Sequence, residues 1–330
     1  MTTIPWVLGP LGDQGETWNP QTGCNWCSKG CDACYAMKMA PWLKGMGNPR
    51  YQNDGDPRTS APGFGLTLHH DLLDAPRKRR KPTGWFVNSM SDLWHREVPS
   101  DWLVEVFATM ALCPQHRFYT LTKRASIMAD WFRTPDLEAE VRAAAALRAN
   151  IDWLPLTLGP GHADARHRYW PGWPLPNLWI GVSAEDQEEA NRRVPHLVQT
   201  PAAVHWVSVE PCIGPVDLRT IMVRQPCRAC AGRGSCGVCL DGMVDKAAID
   251  QLDWVVVGGE SGRGDNIRRM DPAWARSLRD QTHNIGAAYY FKQTGSRLAA
   301  EWGLKHPRGE DPNEWPADLR VREHPTAVAA

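Results

Sequence analysis

Residues 253–259 read Asp253-Trp254-Val255-Val256-Val257-Gly258-Gly259, an apolar run of strand length closed by two glycines. It is too short for a core helix and has no polar alternation, so it suits a strand buried on both faces, as in a parallel sheet. Similar runs recur on either side: Ala287–Gln293 after it, and Phe64–His69, Gly84–Met90, Arg117–Lys123, Leu178–Ser183 and Val204–Glu210 before it. Trp18-Asn19-Pro20 adds a short strand near the start. Helical stretches fall between most of them, at His70–Arg77, Asp101–Ala111, Ala125–Trp131, Asp186–Val194 and Asp271–His283. Eight strands alternating with helices is the pattern of an α/β fold, and eight units is the number that closes a (β/α)8 TIM-type barrel. An open doubly wound sheet is the runner-up. No G-x-G-x-x-G follows a strand to support dinucleotide binding.

The remaining segments set the domain organisation. Residues 1–305 hold the barrel pattern, interrupted by a helical and Trp/Pro-rich insertion at 134–177 and a cysteine-rich insertion at 222–245. Residues 37–62 read as a long surface connection rich in turn formers, and 306–330 as a charged, Pro-rich tail. With 42% apolar and 22% charged residues in a chain of 330, composition is that of an ordinary globular protein. The formal net charge of +0 provides no global field toward nucleic acid. The basic run Arg77-Lys78-Arg79-Arg80-Lys81 reads first as a solvated helix end and second as a binding patch. No apolar run reaches membrane-spanning length, and no secretory leader precedes the first cysteines. The expectation is therefore a reducing, cytoplasmic setting in which the ten cysteines bind metal rather than form disulfides. Seventeen tryptophans are many for one core, and stacking on bases is the other use open to them.

Two cysteine clusters stand out. Residues 18–36 carry Cys24, Cys27, Cys31 and Cys34, spaced C-x2-C-x3-C-x2-C. Thiolates select zinc, copper(I) or iron–sulfur centres over hard cations. Three of them on one short loop suit a cluster with one iron left open, whereas a structural zinc site usually draws on two separated pairs. Both C-x3-C-x2-C, from Cys27, and C-x6-C-x2-C, from Cys24, are present, so the third thiolate beside Cys31 and Cys34 is open. The second cluster, Cys227, Cys230, Cys236 and Cys239, is two C-x2-C knuckles five residues apart, with Gly232, Gly234 and Gly242 nearby. It predicts a tetrahedral zinc site that staples an insertion too small for a core of its own. Its first half resembles the zinc hairpins of DnaJ-type chaperones. A contact to nucleic acid or protein through Arg228 and Arg233 is the sharper alternative.

In a parallel barrel the active site lies at the carboxyl ends of the strands. Here those ends carry Asn88, Ser91 and Asp92, then Ser183 and Glu185, Glu210, Gly258-Gly259-Glu260, and Lys292. Ser183 or Asp92 also reads as a helix N-cap. Glu210, Glu260 and Lys292 each end an apolar strand and need partners if buried. The glycine pair would let backbone approach a ligand closely.

Several of these segments together resemble a bacteriophage family described as the "three-Cys-motif" family, which is similar to radical SAM enzymes. They are Trp18-Asn19-Pro20, Gly23-Cys24, Gly30 to Ala36, Phe86 to Leu93, Trp179 to Ser183, Val207 to Pro211, Trp254 to Gly262 and Phe291-Lys292-Gln293. The family's three cysteines correspond to Cys24, Cys31 and Cys34. Radical SAM motifs usually place an aromatic before the last cysteine; here Ala33 stands there and Tyr35 follows. The resemblance implies a barrel scaffold, a [4Fe–4S] cluster, and S-adenosylmethionine on the open iron, cleaved by one electron to a 5′-deoxyadenosyl radical. Asn88, Ser91, Asp92, Ser183, Glu185, Gly258 and Gly259 become candidates for cofactor binding, and Glu210, Glu260 and Lys292 for catalysis. An electron donor such as a flavodoxin or ferredoxin follows, in the cytoplasm of a bacterial host. A nucleotide or nucleic-acid substrate is suggested by the phage-type resemblance, the basic run and the knuckles. The rival class is a zinc-stabilised nucleic-acid-binding protein without redox chemistry. A metal-dependent hydrolase has no compact His/Asp motif to support it.

Overall fold

The computed structural model describes residues 4–7, 14–150, 170–227, 229–230, 232–236, 238–239 and 241–326. Most of the Trp- and Pro-rich part of the first insertion, as well as Arg228, lies outside the described residues. The chain divides into two compact units, residues 1–182 with 200–204 and 326–330, and residues 183–199 with 205–325.

The first unit is built on four parallel strands. These are β1 (Gln14–Trp18), β4 (Thr83–Val87), β5 (Arg117–Thr122) and β6 (Leu178–Ser183, its last residue falling in the second unit), in the order β1-β4-β5-β6. Trp18 lies beside Val87, Phe86 beside Tyr119, and Thr120 beside Ile180. All five residues of β4 and all six of β6 are buried, as double-faced burial of an apolar run requires. Between β1 and β4 lie the short pair β2 (Gln21–Thr22) and β3 (Thr67–Leu68), and helix α1 (Tyr35–Gly45). Helices α2 (Ser100–Ala111), α3 (Ala125–Phe132) and α4 (Leu137–Ala149) follow. Phe107 of α2 packs 4.6 Å from Trp131 and 5.6 Å from Phe132, ring centre to ring centre. Trp18, Trp94, Trp206, Trp254 and Trp315 are among the largest fully buried side chains, so much of the tryptophan content is core.

The second unit carries β7 (Val204–Val209, from His205 onward in this unit), β10 (Trp254–Gly258) and β11 (Ala288–Gln293), parallel in that order, with Val256 between Ser208 and Tyr290. Helices α5 (Gln187–Val198), α6 (Pro272–Asn284) and α7 (Ser296–Glu301) accompany them, and β8 (Met222–Pro226) pairs antiparallel with β9 (Met243–Ala247).

The α/β pattern holds, but the count differs. Among the described residues there are seven parallel strands, and Phe64–His69 is not one of them. Only Thr67 and Leu68 pair, antiparallel, with β2. The backbone of Gly65 and Leu66 is pressed onto Gly23, where a Cβ would lie 2.2 Å from the Gly65 carbonyl oxygen. The Phe64 carbonyl accepts instead from Cys24 N at 3.2 Å. The run is thus consumed in bracing the cysteine loop. His70–Arg77 is likewise no α-helix, only two 3-10 turns, His70–Leu72 and Pro76–Lys78. The supposed connection 37–62 begins with α1, and the tail is anchored through 326 by Trp315 and Leu319, 1% and 0% exposed.

The β2–β3 pair carries a pH liability. His69 is 5% exposed, with Nε2 2.9 Å from Thr22 Oγ1. Burial, aided by Arg50, lowers its pKa to about 4. The unfolded chain therefore binds the extra proton first, and stability falls as pH drops from about 6.5 toward 4, by on the order of 3 kcal/mol. Urea titrations at pH 7 and pH 4.5 should show that loss in the wild type and a smaller one in His69→Gln; equal losses would remove His69 as the cause.

Candidate functional site

In the first unit, the loop between β2 and α1 is tied to the carboxyl end of β4. Gly23 N donates to Met90 O at 3.0 Å, Ser91 Oγ to Gln21 O at 3.0 Å, and Met90 N to Asn19 Oδ1 at 2.9 Å. The Tyr35 hydroxyl donates to the Ser89 carbonyl. The four thiols therefore sit beside the polar strand end. Cys27 and Cys31 sulfurs lie 3.8 Å apart, and Cys34 caps the start of α1. The hydrogen bond between the two thiols, with Lys123 helping, lowers Cys31 and raises Cys27 in exchange.

Cys24 has a different neighbour. Arg124 Nη1 lies 3.4 Å from its sulfur and 2.9 Å from Asp92 Oδ2, while Nη2 reaches the Asn25 carbonyl at 3.1 Å. Burial raises the free Cys24 thiol to about 12 against the lowering pull of Arg124. Asp92 also accepts from Trp94 N, Thr122 Oγ1 and Lys123 N at 3.1, 2.6 and 3.0 Å. With Arg124 that makes four donors, so Asp92 fixes the rim rather than offering a free carboxylate.

Asn88 is the opposite case. It is 4% exposed and adopts φ +63°, a left-handed backbone uncommon outside glycine. Neither its side-chain oxygen nor its nitrogen has a hydrogen-bond partner. A buried, unsatisfied carboxamide costs about 1–3 kcal/mol, and strain of this kind clusters at ligand sites.

In the second unit, Ser183 Oγ donates to Glu210 O at 3.1 Å, and Arg193 Nη1 donates to Ser183 O at 2.7 Å and Glu185 Oε2 at 2.9 Å. The α5 N-cap is Asp186, which accepts from Glu189 N, and the α2 N-cap is Pro99, so neither Ser183 nor Asp92 is a helix N-cap. Lys292 Nζ lies 3.2 and 3.3 Å from the two Glu210 carboxylate oxygens, and Ser208 Oγ donates to Glu210 Oε2 at 3.2 Å. Glu260 pairs with Arg268, whose backbone N–H donates to Oε2 at 2.7 Å. The glycine pair makes room for the chain itself. A Cβ on Gly258 would lie 2.2 Å from Glu210 Oε1, and one on Gly259 2.1 Å from Thr294 O.

The tetracysteine site is compact. The sulfurs of Cys227 and Cys236 are 3.8 Å apart, and those of Cys239 are 3.5 Å from both Cys230 and Cys236. All four lie within 4.8 Å of one another, near the ~3.8 Å that two sulfurs on one tetrahedral ion at ~2.3 Å must span. Backbone N–H groups of Val238 and Cys239 lower Cys236 to about 7. These four residues can hold a metal ion such as zinc. The N-terminal thiols form no such single-ion group.

A family model described as a protein of unknown function, DUF5131, matches residues 3–319. The chain belongs to the DUF5131 family. No curated protein and no solved structure matches it. Among the described residues of this DUF5131 member, no helix is long and apolar enough to cross a membrane.

The sequence pointed to the acids of the DUF5131 chain and missed the cations that hold them: Arg124, Arg193 and Arg268. For Arg193 a signal existed, since Glu189 lies four residues before it on α5 and forms an ion pair at 2.7 Å. Arg193 is 1% exposed and Glu185 0%. Arg193→Met should cost about 3–5 kcal/mol by stranding a buried carboxylate, with much of it recovered in the double variant with Glu185→Gln. Urea denaturation measures both; a loss in the single variant within the ~1 kcal/mol expected of a surface pair would show that Glu185 does not depend on that cation.

Proposed function

We propose that this chain is a radical SAM-like enzyme on a barrel-type α/β scaffold. Cys31, Cys34 and a third N-terminal cysteine would hold a [4Fe–4S] cluster. What supports the reading above all is Asn88: a strained, buried, unsatisfied carboxamide at the strand end tied to the thiol loop. A polar group supplied by a ligand would satisfy it. When bound, the cluster and S-adenosylmethionine supply a 5′-deoxyadenosyl radical.

The chain's own residues would orient and shield. Arg124 and Asp92 lock the entry of the loop, Tyr35 ties its exit to Ser89, and Asn88 offers its amide N–H groups and carbonyl oxygen to the ligand. Cys24 is favoured as the third thiolate because it receives the Arg124 N–H at 3.4 Å. Cys27 and Cys31, at 3.8 Å, have the spacing of two ligands on one ion; thiolates on two different irons stand further apart. We assign zinc to Cys227, Cys230, Cys236 and Cys239. The reaction would draw on an electron donor of the flavodoxin or ferredoxin type and act on a nucleotide or nucleic acid, the substrate class suggested by the phage-type resemblance, in a bacterial cytoplasm.

Metal and sulfide analysis of anaerobically purified protein, with EPR of the reduced form with and without S-adenosylmethionine, tests this. About four irons per chain and a signal perturbed by the cofactor are expected. Zinc without iron, after reconstitution, would refute it and leave a zinc-stabilised binding protein.

A further inference from the structure

Helix α1 opens at Cys34 and buries Ala36 and Ala40 against Tyr51, Phe64 and Met90. Its other side is also apolar, and it is bare. Tyr35, Met39, Trp42 and Met46 are 52, 41, 60 and 64% exposed. They follow the spacing i, i+4, i+7, i+11, which is one line along a helix of 3.6 residues per turn. Trp26, in the thiol loop just before the helix, is 47% exposed. These five make up most of the large apolar side chains that the described residues expose. Scattered exposed apolar residues need no explanation, whereas a contiguous line marks an interaction surface. Tryptophan, tyrosine and methionine are also the types that protein interfaces enrich.

The charges around the stripe narrow the occupant. Helix α1 carries Lys38 and Lys44 and no acidic residue. Lys38 is exposed, and Lys44 is paired with Asp54 at 2.6 Å. In the loop before the helix, Asp32 accepts from the Trp26 indole N–H at 2.8 Å. A second copy would bring the same lysines together, and like charges facing each other are unfavourable. A single strand of nucleic acid wants a longer basic track than this.

We infer that the α1 stripe docks a small, acidic electron-transfer protein, with its apolar centre on Trp42 and Met39 and its acidic rim on Lys38. The inference rests on the redox reading of the thiol centre. It is placed by the fact that the stripe begins at the residue after Cys34. The step is a one-electron transfer: the reduced donor's flavin or iron–sulfur centre is oxidised by one electron, and the centre held by the thiol loop is reduced by one.

The test uses the full, cluster-loaded chain and follows cluster reduction by EPR under three reductants: dithionite, a bacterial flavodoxin with its NADPH-dependent reductase, and a [2Fe–2S] ferredoxin. Trp42→Asp, Met39→Asp and Lys38→Glu should leave dithionite reduction and iron content unchanged. They should slow reduction by the better protein donor at least about tenfold, as loss of a central interface anchor does. Lys38→Glu should also flatten the dependence of the wild-type rate on salt. Variants reduced by that donor at the wild-type rate would overturn the inference, as would a wild type that only dithionite reduces. Tight binding of a single-stranded oligonucleotide, lost in the same variants, would overturn it in favour of nucleic acid. A wild type without iron would instead strike at the redox reading itself.

Discussion

Cys31→Ala should empty the N-terminal thiol centre, taking iron from about four per chain to near zero while zinc stays at one. Cys31 belongs to both spacings that the loop allows. The neighbouring substitutions then separate the two candidates for the third position. Cys24→Ala should lose iron as Cys31→Ala does, and Cys27→Ala should retain most of it. Iron, sulfide and zinc analysis reads all three variants. Full iron in Cys31→Ala would remove the cluster assignment, and the reverse order for Cys24 and Cys27 would shift the third ligand without touching the rest.

Removing the metal from the tetracysteine site should melt the β8–β9 hairpin and leave the parallel strands folded. A lone two-stranded hairpin is marginal in water, and this one exposes Met222 and Val238 at 54 and 68%. Its tip is made of backbone turns: Cys227 N donates to Gly242 O at 2.7 Å and Cys236 N to Cys239 O at 2.8 Å. Gly242, at φ +80°, runs so near Gly232 that a Cβ would lie 2.5 Å from its carbonyl oxygen. Structural zinc is worth about 10–16 kcal/mol in small metal-folded modules, far more than such turns provide. Cys230→Ala, or a strong chelator, should therefore release one zinc per chain and abolish hydrogen-exchange protection between residues 222 and 247. Protection that survives metal loss would show that the hairpin holds itself.

The sequence was most readable where one force acted alone. Trp254–Gly258 and Leu178–Ser183 are apolar because both faces are covered, so composition gave their type and nearly their ends. The thiol spacings were readable for a similar reason, since ligand chemistry tolerates few substitutes. Helix α1 escaped because it has no polar face to set against an apolar one, and Pro41 lies inside it. Phe64–His69 had strand composition, but its hydrogen bonds are spent on the cysteine loop and on Asn53, whose Nδ2 donates to Leu66 O at 2.7 Å. Arg193, on a helix, reads as a solvent-facing cation until its burial beside Glu185 is seen. The partner that a buried Glu260 needs, Arg268, stayed hidden because it sits in a glycine- and arginine-rich loop without periodicity.

The hairpin has one more consequence. Its two ends meet at a single backbone hydrogen bond, Ala248 N to Ile221 O at 2.8 Å. The excursion that carries the four cysteines thus leaves and re-enters the chain at almost one point, and a short turn would close the gap at a small cost in loop entropy. Mechanically it is an appendage, one whose removal should leave its host undisturbed. A deletion of residues 222–247 bridged by a few glycines and serines should therefore keep the parallel strands and the thiol loop intact.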